Sequence, residues 1–144
     1  GLTRLGVEDC AELVHADARD FREPQSADCV LIDAPCSSLG VIRRHPEMRY
    51  KRSESDIRNL SGLQKELITA ALRIVKPGGK VVYCACSTEP EEGESHLDSL
   101  PPRLAPRRLT DLIPAKFWEG IVVRTWPHSH NLDGMITFRL DIPE

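Results

Sequence analysis

The spacing of hydrophobic positions changes along the chain, and each change marks an element. From Ser53 to Val75, Ile57, Leu60, Leu63, Leu67, Ala71, Leu72 and Val75 recur at steps of three and four, the stripe of an amphipathic helix. "SESD" at 53 to 56 supplies a capping pair ahead of it, and "KPGG" at 76 to 79 stops it. On either side of this helix lie "DCVLIDA" (28 to 34) and "KVVYCAC" (80 to 86), nearly continuous apolar runs of the kind buried on both faces of a parallel sheet. Upstream, "GLTRLG" resembles the last turn of a helix with Gly6 as its stop, and "AELVHAD" (11 to 17) reads as a short strand ending at Asp17. Downstream, "EPEEGESHLDSL" predicts a short acidic-headed helix and "PPRLAPRR" a proline-broken connection. The last strands come from "GIVVRTWPHSHNLDGMITFRL", a hairpin around Asn131 to Gly134.

Strand, crossover helix and strand in this order imply an α/β fold with a parallel sheet, whose functional groups lie at the carboxyl ends of the strands. Asp17, Asp33 with Cys36, and Cys86 with Ser87 all fall at such ends. A single crossover helix separates Cys36 from Cys86, so the fold should bring the two thiols together. Close thiols admit three readings: a redox pair, a metal site, or nucleophilic chemistry with two sulfur roles. A redox pair more often shows CxxC at a helix start, which is absent here.

Composition narrows the setting. The chain has 144 residues, 40% hydrophobic and 28% charged, enough for one domain or part of one. A net charge of −3 gives no global case for nucleic acid, so RNA contact has to come from local patches. "RRHPEMRYKR" (43 to 52) directly follows Cys36, which favours phosphate contact by Arg43, Arg44, Arg49, Lys51 and Arg52; the patch at 103 to 108 reads as a solvated face. Tyr50 is a candidate to stack on a base, and Trp118 and Trp126 read as packing residues. Five cysteines (10, 29, 36, 84, 86), with no signal or transmembrane run, point to a reducing, cytoplasmic setting. "CAC" and "HSH" lack the ligand spacing of a zinc site, so no metal is expected.

"DAPCSSLG", the HPEMRYKR stretch, "KPGGKVVYCACSTEPEEGE" and "WPHSHNLDGMITFRL" occur in an order that resembles the Nop/Sun (Sun/Fmu-like) family of RNA cytosine-5 methyltransferases. The resemblance implies a Rossmann-like methyltransferase sheet, S-adenosylmethionine as cofactor, and RNA, chiefly ribosomal RNA, as substrate. Carbon 5 of cytosine is a poor nucleophile until a thiolate adds to carbon 6, which explains the need for a thiol. The residues leave open which thiol attacks, because the Pro-Cys dipeptide of DNA cytosine-5 methyltransferases would correspond to Cys36. The RNA family implies Cys86 as nucleophile and Cys36 as the group assisting product release. It also implies Asp33 beside the target base, Asp17, Asp33 and Pro35 at the cofactor, and His128 near the site.

The family's "STCS" is here "CACS" and its "ENE" is "EEGE"; Cys84 is expected to point inward and Gly93 to loosen the turn. The family's glycine-rich cofactor loop belongs upstream of residue 11. The expectation is therefore the carboxyl-terminal portion of one methyltransferase domain, inactive alone, whose strand at 11 to 17 lacks its neighbours. Such a strand should be displaced, disordered or exchanged, and exposed sheet edges should favour self-association. An RNA-binding module without catalysis and a cysteine redox or metal protein are the other readings.

Overall fold

The computed structural model describes residues 2–21, 23–104, 106–109 and 113–144. Gly1 of the opening turn and Ala105 of the proline-broken connection lie outside the described residues. The central unit is β1 (Ala27–Asp33), the helix α3 (Glu54–Ile74) and β2 (Val75–Ala85), with α1 (Leu2–Leu5) and α2 (Met48–Lys51) as short preceding turns. Ser53 and Asp56 close the predicted capping box at the start of α3, each side chain bonding the other's backbone N–H. β1 and β2 run parallel, pairing Leu31 with Val82 and Asp33 with Cys84.

Three short strands follow, β3 (Pro106–Arg107), β4 (Trp118–Glu119) and β5 (Val122–Thr125), then the helical turn α4 (Pro127–His130) and β6 (Met135–Asp141). β6 lies antiparallel beside β2, with β5 and β4 beyond it, so the order is β1-β2-β6-β5-β4. β3 pairs with the far end of β6. The expected closing hairpin is therefore present, its connection including α4 and a left-handed Asn131. The helix stop "KPGG" folds inside the bounds of β2: Val75 pairs with Ala27 and Lys80 with Cys29, and the residues between bulge outward.

One face of the sheet carries the core. Ile68 and Ala71 of α3 pack on Val81, Tyr83 and Ala85 of β2 and on Ile136, Phe138 and Leu140 of β6. The Tyr83 and Phe138 rings stack at 4.7 Å. Burying each such large side chain contributes about 1.5 to 3 kcal/mol, which ties α3 firmly to the strands bearing the thiols.

Several local expectations fail. No strand forms at 11 to 17; Leu13 is 85% exposed, and the chain leads into a 3-10 turn at Ala18–Asp20. That turn docks on α3 through Arg19 Nη1 to Glu66 (2.7 Å) and Arg73 Nη2 to the Arg19 carbonyl (3.0 Å). A strand exists only through its ladder, and this segment pairs with none of the described strands and lies off the sheet. β1 is an edge strand with α3 on one side only: Ile32 is buried, but Leu31 is 67% exposed. Cys84 likewise points away from the core, half-buried, because Tyr83 and Ala85 hold the α3 side and alternation sends Cys84 to the other.

The acidic-headed helix is instead two 3-10 turns, Pro90–Glu92 and Glu94–Ser99, broken at Gly93. Gly93 tightens this segment: a Cβ there would meet Ile136 Cδ1 at 2.5 Å, so its absence lets the turn sit down on β6. Among the described residues, no helix is long and apolar enough to cross a membrane.

Candidate active site

β1 and β2 end on the same rim, and the loops leaving them converge. Ala34 N donates to the Cys84 carbonyl (2.9 Å) and Gly40 N to the Cys86 carbonyl (3.1 Å). Gly134 N, from the hairpin, donates to the Gly40 carbonyl at 2.7 Å. Three chain segments distant in sequence thus meet at one point.

Held this way, the Cys36 and Cys86 sulfurs lie 2.8 Å apart as free thiols. Cys36 is buried and Cys86 half-buried. The two differ in their hold on a proton. The hydrogen bond shared with Cys36 lowers Cys86 to about 6, and Ser38 Oγ, 3.9 Å away, adds to this. The same bond, together with burial, pushes Cys36 far up. The pair shares one hydrogen bond, and the thiol that gives up its proton more readily is Cys86, the more accessible of the two. Cys84 is pushed up to about 11 by burial and by Asp33, whose Oδ1 lies 3.7 Å from its sulfur.

Asp33, exposed at the end of β1, shares the wall of a cavity of about 450 Å3 with Asp17 and Pro35; Leu63, Leu67 and Ala70 of α3 form an apolar side. Asp17 reaches this cavity despite the missing strand, but its carboxylate is clasped by the Arg19 guanidinium at 2.6 to 3.1 Å. That hydrogen bonding holds Asp17 down to about 2.

The basic loop leaves the rim after Cys36. Arg43 Nε donates to Asp133 (2.7 Å), and Arg44 pairs with the same carboxylate. Arg52 turns inward, its Nε donating to the Ser37 carbonyl at 2.9 Å. Arg49, Lys51 and Tyr50 remain exposed, with Arg49 5.9 Å from the Tyr50 ring centre. Exposed His128 lies on the wall of a second cavity, about 440 Å3, together with Gly40, Arg43, Thr88 and Trp126. That cavity opens beside the Cys86 loop.

Behind the thiols stands a group that the sequence does not announce. Glu92 is fully buried and accepts hydrogen bonds from Ser37 N (2.7 Å), Ser37 Oγ (2.5 Å), Ser87 Oγ (2.5 Å) and Gln64 Nε2 (3.1 Å). Gln64, fully buried on α3, also donates to the Pro35 carbonyl at 2.8 Å. Its Oε1 must then accept from His96 Nε2 (2.9 Å), which puts the histidine proton on Nε2 and leaves buried Nδ1 without a partner. Burial lowers His96 to about 4, keeping it neutral. The four glutamates of "EPEEGE" are indistinguishable by sequence, whereas Gln64, seven residues from both Ile57 and Ala71, falls on the apolar stripe of the helix, and that spacing is the signal that could have found it.

Residues 1–141 match the family model described as 16S rRNA methyltransferase RsmB/F. The chain belongs to this family. Among RsmB/F relatives, it is 34% identical over 142 residues to the ribosomal RNA small subunit methyltransferase B of Shewanella oneidensis, covering 96% of this chain and 33% of that protein. The protein of the same name from Yersinia enterocolitica is 37% identical over 135 residues, covering 88% of this chain and 31% of that one. The crystal structure of NSun6 from Pyrococcus horikoshii with SFG superimposes with a TM-score of 0.83 at 30% identity, over 99% of this chain and 37% of that chain. This RsmB/F chain thus spans about a third of the length of the curated relatives it matches. Its fold is the Rossmann-like α/β fold expected from the motifs.

Proposed function

We propose that this chain carries the thiol chemistry of an S-adenosylmethionine-dependent RNA cytosine-5 methyltransferase that acts on ribosomal RNA through a covalent cysteine–cytosine adduct. The observation that carries the reading is the Cys36–Cys86 pair, 2.8 Å between sulfurs, at the ends of parallel strands and beside a cavity walled by Asp33. The names of the relatives support the RNA class, and SFG, an S-adenosylmethionine analogue carried by the NSun6 structure, supports the cofactor class.

The cavity suits such a cofactor. Its volume of about 450 Å3 falls in the range of small-molecule sites, and it offers an apolar side and an exposed carboxylate. Asp33 and Pro35 would hold the cofactor at the rim, with Asp17 and Arg19 at the far side. S-adenosylmethionine, when bound, supplies the methyl group.

Cys86 is the nucleophile: it is the more accessible sulfur of the pair and the one the family resemblance names. Its sulfur forms a bond to carbon 6 of cytosine, and the electron pair of the ring double bond makes carbon 5 nucleophilic. Asp33, as the carboxylic acid, hands its proton to N3 as the addition places negative charge there, and takes it back when the adduct breaks. After methylation, a water molecule at the open rim takes the proton from carbon 5, the C–H electron pair re-forms the ring double bond, and the Cys86 sulfur leaves as a thiolate. Cys36 keeps its proton near the departing thiolate and assists release. Arg49 and Lys51 meet phosphates of the approaching strand.

The test is covalent trapping. The protein, expressed at the full length of its gene, is incubated with 5-azacytidine-substituted small-subunit ribosomal RNA and S-adenosylmethionine, then run on a denaturing gel. A complex lost in Cys86→Ala and kept in Cys36→Ala is the expected result. Loss only in Cys36→Ala transfers the nucleophile to the Pro-Cys position. No complex with any form overturns the reading in favour of RNA binding without catalysis.

A further inference from the structure

We propose that Glu92 is a positioning residue that clamps the loop after β1 to the loop after β2, and so sets the Cys36 thiol to face the Cys86 sulfur. The inference rests on the assignment of these two thiols as the reacting pair, although its test does not depend on methyl transfer.

The geometry is specific. Ser37 directly follows Cys36 and Ser87 directly follows Cys86, and both hydroxyls end on Oε2 of Glu92 at 2.5 Å. Oε1 takes Ser37 N at 2.7 Å and Gln64 Nε2 at 3.1 Å, which adds α3 as a third anchor. Tyr83 Oη donates to the Glu92 carbonyl at 2.8 Å, and Ser61 Oγ to the Glu91 carbonyl at 2.6 Å, so the backbone bearing the carboxyl group is itself fixed. Four donors converge on one side chain with no exposure to solvent. A buried carboxyl group is costly unless such donors meet it, and here it meets donors from both catalytic loops.

The charge adds to the geometry. Cys36 keeps its proton because of its bond to Cys86 and its burial, and the field of Glu92 acts in the same direction. Cys86 lies on the other side of the shared bond and carries the charge. Neutralising Glu92 without changing its size should therefore loosen the loops and blur the distinction between the thiols. Glutamine offers one acceptor oxygen and turns an NH2 toward donors that already point inward, leaving at least one serine loop unheld.

The experiment measures initial alkylation rates of Cys86 and Cys36 by iodoacetamide across pH 5 to 9, using peptide mass spectrometry on the native protein. In the parent, Cys86 reacts first, with half its limiting rate near pH 6. In Glu92→Gln the Cys86-to-Cys36 rate ratio should fall by about tenfold or more, and the Cys86 profile should move up toward the range of a free thiol. A purely structural role would lower the melting temperature and leave both the ratio and the profile in place. An unchanged ratio in a folded Glu92→Gln protein overturns the proposal. Should that variant fail to fold, Ser37→Ala and Ser87→Ala, each lacking one hydroxyl, decide by the same ratio: a severalfold fall in either supports the clamp, and no change in both overturns it. If the parent itself shows no preference for Cys86, the thiol assignment fails, and that result is distinct from either outcome for Glu92.

Discussion

Gly40→Ala should destabilise the rim far more than an alanine normally does. A Cβ at this position would lie 2.0 Å from the Gly134 carbonyl oxygen, 2.7 Å from its carbon and 2.9 Å from the Cys86 carbonyl oxygen. All three are backbone atoms, so no side-chain rotation relieves the overlap and the loops must part. Parting weakens Gly134 N to Gly40 O (2.7 Å) and Gly40 N to Cys86 O (3.1 Å). Overpacking costs roughly 1 to 3 kcal/mol, and each lost backbone bond about 1 kcal/mol. A net loss of about 3 kcal/mol is expected, which for a chain of this size lowers the melting temperature by roughly 10 °C. Gly62→Ala is the matched control. It lies within α3 with nothing within 4 Å of its added Cβ, so the same chemical change should stabilise by about 0.5 to 1 kcal/mol. Thermal and urea unfolding followed by circular dichroism measure both. A Gly40→Ala protein that melts within about 2 °C of the parent would refute the three-loop junction as the structure draws it.

Three further outcomes are expected. His96, lowered to about 4 by burial, binds a proton in the unfolded chain before it does in the folded one. Its contribution is therefore complete above pH 6.5 and lost as pH falls toward 4; urea titrations should show on the order of 3 kcal/mol of slope, largely absent in His96→Gln. In filter binding to a small-subunit ribosomal RNA fragment, Arg49→Ala with Lys51→Ala should reduce the slope of log K against log salt by roughly 1.5, and an unchanged slope removes both from the RNA path. The open edge of β1, where Leu31 is 67% exposed, should drive self-association detectable by light scattering as concentration rises, and Leu31→Lys should suppress it; a parent that stays monomeric throughout rejects the edge as an interface.

What could be read from the chain follows the range of the interactions involved. The helix at 54 to 74 was legible because its stripe, its Ser53–Asp56 cap and its stop are all local. β2 and β6 were legible because Val81, Tyr83, Ile136 and Phe138 alternate or run apolar, and the core they enter lies on one face. "AELVHAD" shows the limit. Its residues favour a strand, but strand formation depends on a partner that the segment itself does not specify, and the chain lies exposed instead. Cys84 failed for a related reason: a continuous apolar run hides the pleat, and only the position of α3 shows which parity faces inward.

The site divides along the same line. Cys36 and Cys86 were paired from topology alone, since one crossover between parallel strands leaves their carboxyl ends adjacent, and the sulfurs meet at 2.8 Å. Glu92 and His96 were invisible, because a polar residue becomes structural only when a fold removes its water and gives it partners. Gln64 alone carried a signal, since it sits on the apolar stripe midway between Ile57 and Ala71, but Glu92 is one of four glutamates in the six residues 89 to 94. Their burial is decided by where the 3-10 turn after β2 comes down, and that depends on Gly93 giving way to Ile136 across the sheet. The residues that would contact substrate are thus written in motifs, whereas those that hold them in place are written in packing. A substitution at Glu92 or Gly40 leaves Asp33, Cys36 and Cys86 intact, yet should disturb the chemistry by moving the loops that carry the two cysteines.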